Sequence, residues 1–397
     1  MEIIKKDTLI NTLLFILFFF SLQEFGIQIG GDGVSANYIF IILPLVLFLL
    51  GRKHELSIPL EVVLLLIIFS FIYVVGIPND IFNLSNMESF RRFASYAIFI
   101  APFTLTFIKF NSLDLRLFKL AVISACIYYC LLSLYDLTYW MYVVGANIVD
   151  LKGKIGSQRY GFILLLGFFI TLFGDDIFKP TLKYKVFKFI VLAVILSGIF
   201  LTFSKTSVVS LVASLLIYLA LNFKIFSAFE KFTIKHIIYT SFFLLLIYIG
   251  INMFMVIYLD AFLHAISFDA NNHETSLGFR IYMFDLVMQF LAENPIFGSN
   301  YKGIYALYGQ LSVGSTHNQF LDVLLRVGLI GFIVWMYIVY RILLTLKADK
   351  ALFFGFISIL IYGFMHETFK LAWGGFIFGM LLSFSYSSVF LFKEKTG

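Results

Sequence analysis

A histidine, an asparagine and two charges open one of the apolar blocks of this chain. The run Gly314-Ser315-Thr316-His317-Asn318 leads into it, and Asn318, Asp322 and Arg326 then recur every four residues. On a helix that spacing makes one polar stripe along a single face. A charge at the centre of a bilayer costs on the order of 3 kcal/mol even on lenient scales. Asp322 and Arg326 offset one another as an i,i+4 pair, either as glue between helices or as a substrate contact. His317 sits at the water boundary. A histidine titrates near working pH and can move a proton there. A lone interfacial histidine is more often innocent, so its surroundings decide.

Three cations are the companions to weigh. Arg280 falls in the first turn of a helical pattern, where a cation opposes the helix dipole. Such an arginine either snorkels to lipid phosphate or holds the phosphate of a substrate. Arg159 lies in Gly156-Ser157-Gln158-Arg159-Tyr160-Gly161, and Lys205 in Phe203-Ser204-Lys205-Thr206-Ser207, a hairpin too tight to be a free loop. Arg159, Lys205 and Arg280 converging on one cavity would suit a pyrophosphate, whose two phosphates need paired positive groups. Arg91 and Arg92 follow an acidic, polar loop and read as solvated charges.

Other pairs carry less. His273-Glu274 and His366-Glu367 each lack the second histidine of a zinc-protease helix, so no metal site is expected. Cys126 and Cys130 stand four apart in one apolar segment and read as small residues packed on a neighbouring helix, in preference to a disulfide or metal pair. Gly375 and Gly379 form a small-xxx-small pair, which predicts a close helix contact.

The elements that must position these groups follow from composition. Hydrophobic residues make up 61% of the 397 residues and charged ones 13%, against roughly 45–50% and 25% in soluble domains. The apolar residues come in long blocks, and a block of about 20 spans the hydrocarbon core as a helix. Backbone groups in lipid must be bonded internally. The expected fold is therefore all-α and polytopic, a single integral membrane domain over 1–397 with about twelve spans. They fall near 8–27, 36–50, 58–76, 93–108, 119–140, 160–176, 188–203, 207–223, 237–259, 317–340, 351–369 and 371–391. The first block lacks a small-residue cleavage site and reads as a retained helix.

With the N-terminus inside, Lys and Arg fall on the inner side by about two to one, as the positive-inside rule requires. Both termini are then cytoplasmic. The inner loops are short and basic, and no P-loop or dinucleotide fingerprint occurs. Chemistry is therefore expected on the outer face, where the long connection 260–316 lies between spans nine and ten. Within it Leu277 to Ala292 places Ile281, Phe284, Met288 and Leu291 on one face. That predicts an amphipathic helix at the outer interface, capped by Thr275 or Ser276 and ended by Asn294-Pro295. The high pI has its explanation in the basic inner loops, and no nucleic-acid partner is implied.

The order of motifs in the C-terminal half is distinctive. Arg280 is followed by Asn294-Pro295-Ile296-Phe297-Gly298, then His317-Asn318-Gln319-Phe320-Leu321, then Arg326-Val327-Gly328-Leu329-Ile330-Gly331. With the Ser204-Lys205-Thr206-Ser207 hairpin, this resembles the bacterial O-antigen polymerase and O-antigen ligase superfamily, most specifically over 197–335. The resemblance implies a glycosyltransferase of the bacterial inner membrane that acts at the periplasmic face without metal or other cofactor. Its donor would be a glycan on undecaprenyl pyrophosphate, embedded in membrane lipid, with a chain-length regulator as a candidate partner. A polymerase moves that glycan onto the next lipid-linked repeat unit, and a ligase moves it onto lipid A-core; polymerase is favoured. Arg159, Lys205 and Arg280 would neutralise the departing pyrophosphate. His317 would be base or hydrogen-bond partner to the attacking hydroxyl, and Asn318 would orient it. The alternative of another class is a lipid-linked oligosaccharide flippase, which should show two related halves and charges deep in its helices.

Overall fold

The computed structural model describes residues 2–23, 26–29, 32–35, 59–78, 86–144, 160–178, 181–202, 204–222, 276–307 and 316–387. Among them the chain is a bundle of helices: α1 (Glu2–Ser21), α2 (Leu60–Val75), α3 (Asn86–Ile100), α4 (Ser112–Thr138), α5 (Gly161–Phe173), α6 (Leu182–Leu201), α7 (Lys205–Asn222), α8 (Ser276–Glu293), α9 (Gln319–Leu346), α10 (Lys350–Gly363) and α11 (Ala372–Tyr386). Three of these, α4, α6 and α9, are long and apolar enough to cross a membrane, and the apolar segments of α1, α2, α3, α5, α7, α10 and α11 are shorter. The expected spans 36–50 and 237–259 lie outside the described residues. Twelve crossings are therefore not established, while a predominantly helical membrane-embedded bundle is.

Several expected boundaries move for local reasons. The first block ends at Ser21, and a two-stranded antiparallel hairpin, Gly26–Ile29 with Asp32–Ser35, follows it. The fourth block changes pitch, because Pro102 cannot donate into an α-ladder and Ala101–Phe107 tightens to 3-10. The block expected to span 351–369 is helical only to Gly363, and residues 364–371 form a turn.

Apolar residues surround the bundle as well as filling it. On α2 the buried side chains are Val62, Leu65, Phe69 and Ile72, yet the opposite stripe of Leu60, Leu64, Ile67, Phe71 and Val74 is exposed and equally apolar. A helix apolar all round belongs in lipid. Inside, α4 packs on α1, α5 and α6, and α10 lies along α5 and α7. Cys126 of α4 sits in a notch of α5 where a Cβ on Gly167 would come within 2.2 Å of its sulfur, and its thiol donates to the Ile163 carbonyl. Cys130 repeats the arrangement one turn later against Gly198 and the Val194 carbonyl of α6. Both thiols are free and buried, as expected of packing residues. Gly379 likewise brings α11 onto Pro102, whose carbonyl would lie 2.5 Å from an added Cβ.

The helix that carries the polar stripe is broken. Gly328 of α9 has φ 64° and ψ −168°, a conformation open essentially to glycine alone. Leu325 and Arg326 there lose their regular helical donors, and Leu329 and Ile330 their acceptors. The segment after α8 replaces all four: Ser299 N–H donates to Leu325 O, Tyr301 N–H to Arg326 O, Leu329 N–H to Pro295 O and Ile330 N–H to Ile296 O. Gly298, at φ 57°, crosses Gly328 so closely that a Cβ on either would overlap the other's backbone. These bonds keep the peptide groups of Leu325, Arg326, Leu329 and Ile330 satisfied in a region where each orphan would cost several kcal/mol.

Candidate active site

One end of the bundle gathers most of the residues picked out by chemistry. Asn318 ends its extended conformation as the N-cap of α9, its Oδ1 accepting from Phe320 N–H at 2.9 Å and Leu321 N–H at 3.0 Å. That oxygen is committed, so contact with a substrate falls to the Asn318 amide nitrogen. His317 stands one residue earlier with φ 52°, a left-handed conformation unusual for a histidine. It is partly exposed, with the ring of Phe279 at 5.6 Å and that of His366 at 6.4 Å, both edge to face.

Arg280 reaches the same place from the first turns of α8. Its Nη2 approaches the Met365 carbonyl at 3.4 Å, and among the described residues it makes no ion pair. Its charge acts on both His317 and His366. The helix itself corrects one expectation. Met283, Leu286, Val287 and Leu291 are its buried face, packed on Ile304, Leu307, Leu321 and Leu325, while Ile281, Phe284 and Met288 are exposed. Helix α8 is thus apolar on two sides, one for the bundle and one for the membrane. The described part of the connection expected at 260–316 does carry a helix over the expected residues, and that helix packs on the start of α9.

Lys205 begins α7, and α6 ends at Leu201 just before it. Beside it the Tyr362 hydroxyl lies against the hydroxyls of Ser204 and Ser207, and His366 stacks on the Tyr362 ring at 4.9 Å. Gly161 closes on the same spot: a Cβ there would meet Ser207 Oγ at 2.3 Å and the Tyr362 ring at 3.0 Å. Lys205, Arg280, His317 and Asn318 therefore share one end of the bundle, and α5 begins there. Arg159 lies outside the described residues.

Asp322 and Arg326 belong deeper. They pair at 2.6 Å, both buried, and Arg326 Nη1 also donates to Ser95 Oγ of α3. A Cβ on Gly303 would touch the guanidinium at 2.9 Å. The pair ties three parts of the chain together. Arg92, expected to be solvated, is instead 1% exposed; its guanidinium lies 4.4 Å from the Tyr73 ring centre and donates to the Tyr73 carbonyl. The acidic loop before it hid that it faces inward.

The sequence did not single out His366 or Glu367 for this site. Glu367 Oε1 accepts from Thr316 N–H at 2.7 Å and lies 2.8 Å from Thr316 Oγ1, while Oε2 pairs with Lys370 at 2.8 Å. Burial pushes the Glu367 carboxyl up, but Lys370, Arg326 and Thr316 outweigh it and hold it below the usual carboxylate range. Burial, with Arg280 and His317 adding to it, pushes His366 down to about 4. His317 is lowered too, chiefly by burial; Glu367 opposes that while Arg280 and Lys370 reinforce it. At neutral pH both imidazoles are neutral bases beside a fixed guanidinium. An opposite-charge pair in an apolar block, Glu367 and Lys370 three residues on, was the available signal. Among the described residues no three His, Cys, Asp or Glu side chains gather as metal ligands.

Residues 189–336 match the Wzy_C family model, described as O-Antigen ligase. Over that segment the chain is similar to the O-antigen ligase/polymerase superfamily, and the match does not separate polymerase from ligase. It includes Lys205, Arg280, His317, Asn318 and the Asp322–Arg326 pair, and ends beyond the break at Gly328. It supports a membrane-embedded, glycosyl-transferring role in the assembly of surface polysaccharide. No curated protein matches the chain at a significant level.

Proposed function

We propose that this chain is a surface-polysaccharide polymerase of the bacterial inner membrane, moving the growing glycan from undecaprenyl pyrophosphate onto the next lipid-linked repeat unit. The observation that carries the reading is the meeting of a neutral His317 with Arg280 and Lys205 at one end of the bundle, within a matched family segment. In that geometry His317 takes the proton from the acceptor hydroxyl, and the Asn318 amide orients the sugar. Arg280 and Lys205, with Arg159 as the third expected cation, stabilise the charge that develops on the leaving pyrophosphate. Placing this end outside and both termini inside agrees with the positive-inside count.

The description of the matched family favours a second reading, an O-antigen ligase delivering the glycan to lipid A-core. Both use the same donor and the same leaving group and differ in the acceptor. Purified protein reconstituted with a lipid-pyrophosphate repeat unit separates them. A ladder that lengthens without added nucleotide, and disappears in Arg280→Ala, supports the polymerase. Glycan appearing only on added lipid A-core makes it a ligase. Repeat units crossing the bilayer with no new linkage would make it a flippase and end the transferase reading.

A further inference from the structure

Four hydrogen bonds stitch the loop that presents His317 to the turn between α10 and α11, and they are built reciprocally. From the turn, Glu367 Oε1 takes the Thr316 N–H and lies within hydrogen-bond reach of the Thr316 hydroxyl. From the start of α9, Gln319 Oε1 accepts Thr368 N–H at 2.9 Å and Phe369 N–H at 2.8 Å. The Thr316 hydroxyl also lies 3.0 Å from the Asn318 carbonyl, so its single proton is shared across the residue between them, His317. A histidine at φ 52° persists only where its surroundings over-determine it. Here both flanking residues are held: Thr316 by Glu367, and Asn318 by the helix it caps.

We infer that Glu367 is a positioning residue for His317, holding its strained backbone through Thr316 and setting the charge that faces its ring. The inference rests on the proposed transfer only for what His317 does once in place. Glu367 itself is nearly enclosed and engaged on both oxygens, with Thr316 on one and Lys370 on the other, so it meets no substrate. Among the described residues, the charged and titratable groups that act on His317 include Glu367, Arg280, Lys370 and His366. Of these Glu367 is the one anion. Its removal leaves three groups that are cationic or can become so, and His317 then holds its proton less well.

The test uses the full chain in liposomes with a lipid-pyrophosphate repeat unit, together with ring-proton titration of His317 by NMR. Glu367→Gln should lower kcat at least tenfold with little change in KM, and move the acidic limb of the pH profile, and the His317 titration, to lower pH. Thr316→Val loses the hydroxyl bond but keeps the charge, so kcat should fall while the limb stays. Lys370→Met leaves Glu367 in place and should move the limb and the titration the opposite way, to higher pH; it also serves if Glu367→Gln does not fold. An unmoved His317 titration in Glu367→Gln or in Lys370→Met overturns the proposal whether or not turnover is seen. A His317→Ala protein that still elongates glycan would instead overturn the proposed role of His317, and the titration would still decide for Glu367.

Discussion

The two ends of the bundle treat their cations differently. Where α4 begins, Lys119 is 1% exposed and lies 2.8 Å from Asp176 and 2.7 Å from Asp349, so one ammonium is shared by two carboxylates. Asp349 also caps α10 through the Leu352 N–H, and Asn111 and Asp114 close a capping box on α4. Arg341 and Glu61 add a second ion pair on that side. At the other end of α10, about 21 Å away by helix length, Glu367 is paired with Lys370, but Arg280 has one long contact to a carbonyl and, among the described residues, no ion pair. The first end pairs each of these charges, and the second pairs Glu367 but leaves Arg280 without an ion pair among the described residues. Paired charge fixes helices; on the proposed reading, the Arg280 charge beside His317 is kept for an anion that comes and goes.

Substitutions that invert this contrast should have the largest effects. His317→Ala should lower turnover by about 10²–10⁴-fold with the thermal unfolding midpoint unmoved. Lys119→Met should do the reverse, losing about 3–5 kcal/mol of stability because Asp349 is left buried without its partner, with turnover per folded molecule intact. Reconstituted activity and unfolding, measured on both proteins, would erase the comparison if both fell together in each.

Gly328→Ala should cost about 1–3 kcal/mol for the backbone conformation alone. The clash with the Ile296 carbonyl adds to it, and hydrogen exchange should rise across 295–301 and 325–330. Acid should weaken the His366 end first. His366 titrates at about 4 when folded and near 6.5 when exposed, so the unfolded chain takes up the proton first as pH falls between those values. Stability from this group is complete above about 6.5 and drains away toward about 4; His366→Gln should flatten that slope in an unfolding series. The smallest effect belongs to Lys188, which meets a mostly exposed Asp175. Lys188→Ala should change stability by a few tenths of a kcal/mol, and a larger loss would mean the paired end is more cooperative than its contacts indicate.

The helices were legible because lipid allows so little else: block length and charged breaks locate α4, α6 and α9 directly. The stripe of Asn318, Asp322 and Arg326 was visible as spacing, and their different fates were not. Spacing cannot show that Asn318 spends its oxygen on a cap or that Arg326 reaches Ser95. Arg92 was misplaced because the polarity of the preceding loop says nothing about which way the next turn faces. His366 and Glu367 escaped because what joins them to Thr316 and His317 is a contact across some fifty residues, and one sequence holds no trace of such a pairing. Glycine was more informative than its small size suggests. Gly298 and Gly328 stand in the two runs that set this half of the chain apart, and the structure shows each making room for the other's backbone.

That mutual accommodation has a consequence for how the protein is made. Taken alone, the segment from Gln319 to Leu346 has every reason to enter a bilayer as one uninterrupted rod, since a regular ladder satisfies all its peptide groups. Its bend is written in a different stretch of chain, Pro295 to Tyr301, which leaves the ribosome first. The fractured rod is therefore a product of order in time: the earlier stretch must be waiting when the later one arrives, and the end that holds His317 takes shape only at that encounter.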